Sequence, residues 1–327
     1  DSDGQFNDAR LAMNLARAAA ERGAVLLNYA PVHSLLKEGG RVAGVAFVDL
    51  ESGADHVVRA RGVVNATGVF ADSIRRLDDP NAREIIAVSQ GVHVVLDRRF
   101  LPGDAGIMVP RTRDGRVCFI IPWQGRTLVG TTDTPMEAAT MEPRPLEEEI
   151  DFVLEHAGLY LRERPTRADV LSMFAGLRPL VKGGDVKTSA LSRDHTLLVS
   201  TSGLVTITGG KWTTYRRMAE DTLNRLASVA GLPQRPCNTG TLHLRRGDCT
   251  DEHWRELGAT SEEQESLEAR FPGELHPRLP YSLAMVAYVV EHEMPVKTED
   301  VLARRLRALA LDARAALEAA PRVAEVM

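Results

Sequence analysis

Gly209-Gly210-Lys211-Trp212-Thr213-Thr214 follows directly on the apolar run Leu204-Val205-Thr206-Ile207-Thr208. A strand that breaks at two glycines and opens a helix turns backbone N–H groups toward whatever lies beyond it. The helix dipole and the Lys211 ammonium add positive potential at the same point, so an anionic group of a cofactor or substrate is the natural guest. A second glycine turn, Ala66-Thr67-Gly68, closes the short run Val63-Val64-Asn65; alone it reads equally as an ordinary strand end. Arg178 lies in Gly176-Leu177-Arg178-Pro179, read as the exit from a glycine turn stiffened by proline. Arg193 lies in Ser192-Arg193-Asp194-His195. An arginine fork matches the edge of a carboxylate or phosphate, with a surface ion pair as the plain alternative. His93 stands mid-strand between Val92 and Val94, where an imidazole is either packed core or a proton acceptor. His195, in a polar turn, is its rival.

These groups are carried by 327 residues, enough for two or three domains. Forty basic residues against 45 acidic ones leave a net charge of −5, which argues against a nucleic-acid binder relying on a broad basic surface. Basic residues must therefore act in local clusters. Cys118, Cys237 and Cys249 are widely spaced, with no metal-ligand or redox pattern, and are expected to be buried or inert thiols in a reducing compartment. The longest apolar stretch, 283–290, falls well short of the ~20 residues of a membrane-spanning helix. No signal peptide is legible, and the opening Asp1 leads to the expectation of an N-terminally truncated chain.

The elements that must position the groups follow from periodicity and punctuation. A helix is expected from residue 7 or 8 to 22, capped by Asn7 or Asp8 and stopped by Gly23, then a strand over 24–28. A β-meander over 32–36, 42–49 and 55–60 has glycines at its turns and leads into a strand at 62–65. Consecutive strands at 92–96, 106–109, 117–122 and 127–131 predict an antiparallel sheet, with a helix over 147–161 against it. Strands at 197–200 and 204–208 and a helix over 213–227 follow; beyond a linker at 233–236, helices are expected over 260–270, 281–292, 298–309 and 312–319. Thr298 is the expected cap of the third of these.

Several motifs in this order carry a resemblance that covers essentially the whole chain. They are Asp3-Gly4-Gln5-Phe6-Asn7-Asp8-Ala9-Arg10, Asn65-Ala66-Thr67-Gly68, Gly91-Val92-His93, Ile121-Pro122-Trp123 and Val129-Gly130-Thr131-Thr132-Asp133. Phe174-Ala175-Gly176-Leu177-Arg178-Pro179-Leu180, Ser192-Arg193-Asp194-His195, the Gly-Gly-Lys segment, Leu275-His276-Pro277 and the run 299–305 continue it. The chain resembles the FAD-dependent, quinone-linked glycerol-3-phosphate dehydrogenases of the D-amino-acid-oxidase superfamily. Two departures stand out. Val69 follows Ala-Thr-Gly where members of that family often carry proline, and no Gly-x-Gly-x-x-Gly fingerprint occurs anywhere in the chain.

The resemblance implies an α/β fold with an α+β substrate domain: an incomplete FAD/NAD(P)-binding Rossmann-like domain, an antiparallel substrate-binding sheet and a C-terminal helical domain. The expected division is 1–72 for the back half of the FAD-binding domain and 73–190 for the substrate-binding domain. Residues 191–230 then return to the FAD-binding domain and 237–327 form the helical one. Ala66, Thr67, Gly68, Gly209, Gly210, Lys211, Thr213 and Thr214 are implied to meet FAD, the helix from Thr213 setting its positive end by the flavin's pyrimidine ring. Arg178, Arg193 and Lys211 are implied to grip the phosphate of glycerol 3-phosphate, while His93 takes the C2 hydroxyl proton as hydride leaves for the flavin. Dihydroxyacetone phosphate, electron transfer to a quinone, a cytoplasmic place on the inner face of the cell membrane, and homo-oligomerisation complete the expectation. Asp3, Asp8 and Arg10 are expected in local caps and ion pairs, with a place facing the flavin as the alternative for Asp3, and Trp123 and Trp212 in packing. Two alternatives stand beside this: an amino-acid or amine oxidase of the same superfamily, and a non-catalytic fragment or subunit unable to bind FAD alone.

Overall fold

A computed structural model describes residues 6–110, 112, 116–182 and 195–327. Asn7 caps α1 (Asp8–Ala20) by accepting from the Arg10 N–H, and Gly23, at φ 87°, turns the chain away. β1 (Val32–Glu38), β2 (Arg41–Val48) and β3 (Asp55–Arg59) form the expected antiparallel meander. The strand expected over 24–28 is absent: the segment has no pairing neighbour among the described residues, and Val25 and Leu27 are 86% and 62% exposed. An unpaired strand has nothing to satisfy its backbone or cover its side chains.

β4 (Val64–Asn65) ends at a 3₁₀ turn, Gly68–Phe70, that leads into α2 (Ala71–Asp78). A six-stranded sheet follows, built from β5 (Ile86–Asp97), β6 (Ile107–Val109), β7 (Cys118–Trp123), β8 (Arg126–Gly130), β9 (Thr134–Met136) and β10 (Val170–Val181). Its order is β10-β5-β8-β7-β6, with β9 beside β5. α3 (Glu147–Ala157) packs on one face, where Val94, Leu96, Ile120, Val129, Ile150 and Val153 form a buried cluster. Burial of each such aliphatic side chain contributes about 1.5–3 kcal/mol. β10 corrects the reading of Arg178 as a turn residue. Gly176 and Pro179 look like breakers, yet both lie inside a 12-residue strand paired with β5 from Val170 to Val181. Pro179 is tolerated because β10 is an edge strand, whose outward N–H has no ladder partner to lose.

β11 (His195–Val199) and β12 (Val205–Gly209) return the chain to β4, giving the order β11-β12-β4 with β12 and β4 parallel. Gly209 and Gly210, at φ 73° and 75°, supply the left-handed backbone that ends β12. A 3₁₀ turn at Trp212–Thr214 then opens α4 (Tyr215–Ala230). His195 is thus the first residue of a strand rather than part of a polar turn.

The C-terminal region is helical: α5 (Glu252–Leu257), α6 (Ser261–Arg270), α7 (Leu283–His292), α8 (Ala308–Leu311) and α9 (Ala313–Val326). Asp251, Thr260, Ser282 and Asp312 each accept a backbone N–H at the start of α5, α6, α7 and α9. The helix expected from Thr298 is instead a π-helical turn, Asp300–Arg305. The Asp300 carboxylate accepts from the Val296 and Lys297 N–H groups, taking the capping role given to Thr298. Trp254, Leu275, Tyr288, Val301 and Leu311 lie in the core of this region.

α1 docks there through charge. Arg10 forks onto Glu293, its Nη1 at 2.8 Å from Oε2 and its Nη2 at 2.5 Å from Oε1. Arg17 donates to the Tyr288 hydroxyl and the Leu257 carbonyl. The ion pairs expected to be local near the chain start therefore span most of its length. Cys118 and Cys249 are buried as expected, but Cys237 is exposed, with its thiol held below the usual range by hydrogen bonding to Thr239.

Candidate active site

The antiparallel register of β5 with β10 decides which side chains meet. His93 pairs with Phe174, Gly91 with Gly176 and Ser89 with Arg178. Alternation along both strands puts all six on the face opposite α3. The result is one face with an imidazole and a phenyl ring at one end, the Arg178 guanidinium folded back over Gly91, and open space above Gly176. Above Gly176, a Cβ would meet nothing within 4 Å.

Two glycines make room for these polar side chains. A Cβ on Gly91 would stand 2.6 Å from Arg178 Cζ, and one on Gly130, which pairs with His93 from β8, would stand 2.9 Å from His93 Cγ. Both polar groups lie flat against backbone that lacks a side chain. The His93 ring also stacks on Phe174, with centroids 5.3 Å apart and planes 17° apart.

The segment after β8 aims the arginine. Thr131 Oγ1 accepts from Arg178 Nη2 at 3.1 Å, and Asp133 Oδ1 lies 3.6 Å from Nη1. The Ser89 hydroxyl donates to Asp133 in turn. Glu149, on α3, fixes this segment from beneath by accepting from Thr132, Thr134, Gln90 and the Leu146 N–H. Burial alone would raise its carboxyl; these donors hold it below the ordinary range.

Burial lowers the His93 pKa to about 4, helped by the Arg178 charge and opposed by Asp8. The ring is therefore neutral at physiological pH, and no described residue forms a hydrogen bond with either nitrogen. A neutral, open imidazole beside a fixed cation can accept a proton from the hydroxyl of a bound anion. His195 is differently placed: its Nε2 lies 3.1 Å from Asp221 on α4.

The other expected residues divide. The turn that begins at Gly68 and strand β12 both contact β10, so the Ala66-Thr67-Gly68 and Gly209-Gly210 turns border the Arg178 strand. Lys211 is exposed, Thr213 is exposed, and Thr214 Oγ1 bonds to the Lys211 backbone N–H and C=O. Arg193 and Asp3 lie outside the described residues. Trp123 packs between Phe174 and the C-terminal core, and Trp212 lies against Tyr215. A cleft of about 500 Å³ lined by Phe6, Asn7, Trp123, Gln124 and His253 reaches neither His93 nor Arg178. Among the described residues, no group of three or more carboxylate, His or Cys side chains is placed to hold a metal, and no helix is long and apolar enough to cross a membrane.

Sequence reasoning missed the supporting cast: Phe174, Gly176, Thr131 and Asp133. The signal that could have found them is the odd-numbered alternation 89, 91, 93 facing the even-numbered 178, 176, 174. The open space carries a test. Gly176→Leu is expected to leave thermal stability within about 0.5 kcal/mol, as at an exposed strand site, yet raise KM at least about tenfold by filling the space above the glycine. Melting curves and steady-state kinetics on the same preparation check both halves.

Residues 1–216 match the family model described as FAD dependent oxidoreductase, and residues 205–327 match the C-terminal domain of alpha-glycerophosphate oxidase. Human mitochondrial glycerol-3-phosphate dehydrogenase is 39% identical over 99% of this chain and 49% of its own length. A probable glycerol-3-phosphate dehydrogenase of Encephalitozoon cuniculi (strain GB-M1) is 37% identical over 98% of this chain and 56% of its own. The chain thus spans about half the length of the curated relatives it matches. The solved glycerol-3-phosphate dehydrogenase of Bacillus halodurans complexed with FAD superposes with a TM-score of 0.78 at 31% identity, over 98% of this chain and 69% of that one.

Proposed function

The chain belongs to the FAD dependent oxidoreductase family and carries the C-terminal domain of alpha-glycerophosphate oxidase, and from that premise we propose that it oxidises sn-glycerol 3-phosphate to dihydroxyacetone phosphate. The observation that carries this reading is a neutral His93 imidazole, hydrogen-bonded to no described residue, on the same sheet face as the Arg178 guanidinium, which lies over Gly91 beside the open space above Gly176. A small phosphorylated alcohol needs an anion fork at one end and a proton acceptor at the other.

FAD fits the described residues at one end. The Gly209-Gly210 turn keeps side chains off the end of β12, and the buried Thr208 hydroxyl beside it has no hydrogen-bond partner among the described residues. At the diphosphate end the fit is incomplete: the chain has no Gly-x-Gly-x-x-Gly, and β4 has one unpaired edge among the described residues. Ala66, Thr67, Gly68, Gly209, Gly210, Lys211, Thr213 and Thr214 would hold the part that fits. When bound, FAD supplies the two-electron acceptor for the hydrogen on C2.

The protein's own groups do the rest. Arg178, aimed by Thr131 and Asp133, binds the phosphate oxygens and sets the glycerol over Gly176. His93, held flat by Phe174 and Gly130, receives the C2 hydroxyl proton on its free ring nitrogen. Lys211 and Arg193 are assigned to the same anion, and a quinone at the inner face of the cell membrane to the onward electrons. Arg178→Lys is expected to raise KM for glycerol 3-phosphate about 10- to 100-fold. A point ammonium loses the two-pronged phosphate contact and the Thr131 bond that aims it, together worth about 1.4–2.7 kcal/mol. Initial rates across substrate concentration check it.

Absorbance of the purified protein, before and after FAD and then glycerol 3-phosphate, tests the whole reading. Flavin bands that bleach with the phosphate ester are expected. Bleaching by glycine or D-alanine instead would replace the substrate, and a protein that never acquires flavin bands would overturn the enzyme reading. The open edge of β4 and the exposed Val25 and Leu27 favour a second reading, in which FAD is held jointly with a further polypeptide segment.

A further inference from the structure

The His93 end of the site face rests on a stack that leaves its own sheet. Phe174, under the imidazole, meets Trp123 with ring centroids 6.2 Å apart. Trp123 in turn carries the Arg307 guanidinium 5.0 Å from its ring centroid. Arg307 Nη1 donates to Asp8 Oδ1 at 2.7 Å and to Asn7 Oδ1 at 3.3 Å. Three separate parts of the chain, α1, the β-sheet and the start of α8, therefore meet at one guanidinium.

The backbone at Arg307 adds an independent sign. It sits at φ 60°, ψ 21°, a left-handed conformation that glycine or asparagine adopts at lower cost. Backbone strain of this kind persists where the surroundings require the side chain in place.

We propose that Arg307, carried by the C-terminal helical domain, is a positioning residue for His93: pinned between Asp8 and Trp123, it fixes the aromatic stack under the imidazole and neutralises the Asp8 carboxylate. The proposal rests on His93 being the proton acceptor. It gives the helical domain a part in the chemistry. The charged groups around His93 are Arg178 on β10, itself beside Asp133, Asp8 on α1 and the Arg307 that pairs with Asp8. Arg178 opposes protonation of the ring and Asp8 favours it. With Arg307 gone, the full Asp8 charge would act on the imidazole.

The test is the NMR titration of the His93 ring, assigned by its loss in His93→Gln, in the purified protein without substrate. Arg307→Gln is expected to raise the His93 midpoint by about 0.5 to 1, a Coulomb effect at intermediate dielectric. Arg307→Gly, which relaxes the backbone and keeps the fold, is expected to raise it equally. In Asp8→Asn/Arg307→Gln the rise is expected to vanish. A midpoint unmoved in both single variants overturns the proposal. So does a rise that survives in the double variant, because loosening and water entry would produce that without Asp8. The readout needs neither flavin nor turnover, so a wild-type protein inactive on glycerol 3-phosphate would sink the functional reading and leave this result legible.

Discussion

His93→Gln is expected to lower kcat for sn-glycerol 3-phosphate by about 10²- to 10⁴-fold while changing KM no more than a few-fold. Glutamine is close to histidine in length and polar at its tip, so the stack on Phe174 and the space over Gly130 are largely kept. What it lacks is a basic nitrogen. Substrate held by Arg178 would still bind, and the loss would fall on the chemical step. The pH dependence separates this from a packing defect. With its pKa lowered to about 4, the imidazole stays a competent base down to that value. After allowance for the substrate phosphate's own titration near about pH 6, the acid limb of kcat/KM in the wild type is expected near pH 4 and is absent from the residual activity of the variant. Stability follows the same proton. The unfolded chain binds it more readily than the native one between about 4 and the ordinary histidine value, so stability falls as pH drops through that window. The glutamine variant should lose this part of its acid sensitivity. A His93→Gln enzyme with wild-type kcat would remove the residue from the mechanism.

Glu293→Ala is expected to destabilise the protein by about 3–5 kcal/mol, read as the shift of the urea midpoint followed by fluorescence of the buried Trp254. Glu293 is fully buried and its carboxylate takes both prongs of the Arg10 fork, with Arg17 Nη1 3.9 Å from the same Oε1. Removing it strands a guanidinium whose Nε already lacks a hydrogen-bond partner among the described residues. Breaking the pair from one side is costly for that reason, whereas replacing both members by apolar groups avoids the unpaired charge. Arg10→Leu/Glu293→Leu is therefore expected to recover most of the loss, and a double variant as unstable as the single one would contradict the desolvation argument. Since α1 also holds Asp8 against Arg307, loss of this clamp should reach the His93 wall as well.

Much of the local structure was legible because it is set by neighbours in the chain. Asn7, Thr260 and Ser282 cap helices because a short polar side chain reaches an N–H two or three residues on. The glycine pairs at 39–40 and 209–210 end strands because positive φ is cheap there. The meander, the antiparallel sheet and the helical C-terminus follow from the same local rules, and the ordered motifs carried the family. His93 and Arg178 were singled out by residue type and given their roles by the resemblance, although the turn read around Arg178 is a strand.

Tertiary structure decided everything that depends on partners distant in sequence. The run 24–28 has strand-like residues, but a strand exists only when another pairs with it. Gly176 and Pro179 announce a turn locally, and the pairing of β10 along β5 overrides them. Arg10 and Glu293 are 283 positions apart, so no spacing rule joins them. The glycines of the site are the sharpest instance. Gly91, Gly130 and Gly176 come from three strands, and a slip of one residue in either pairing would turn His93 or Arg178 to the opposite face. Residue types supplied a base and a cation; strand register alone set them on one face beside the open space above Gly176, because side-chain direction in a sheet is a property of the pairing.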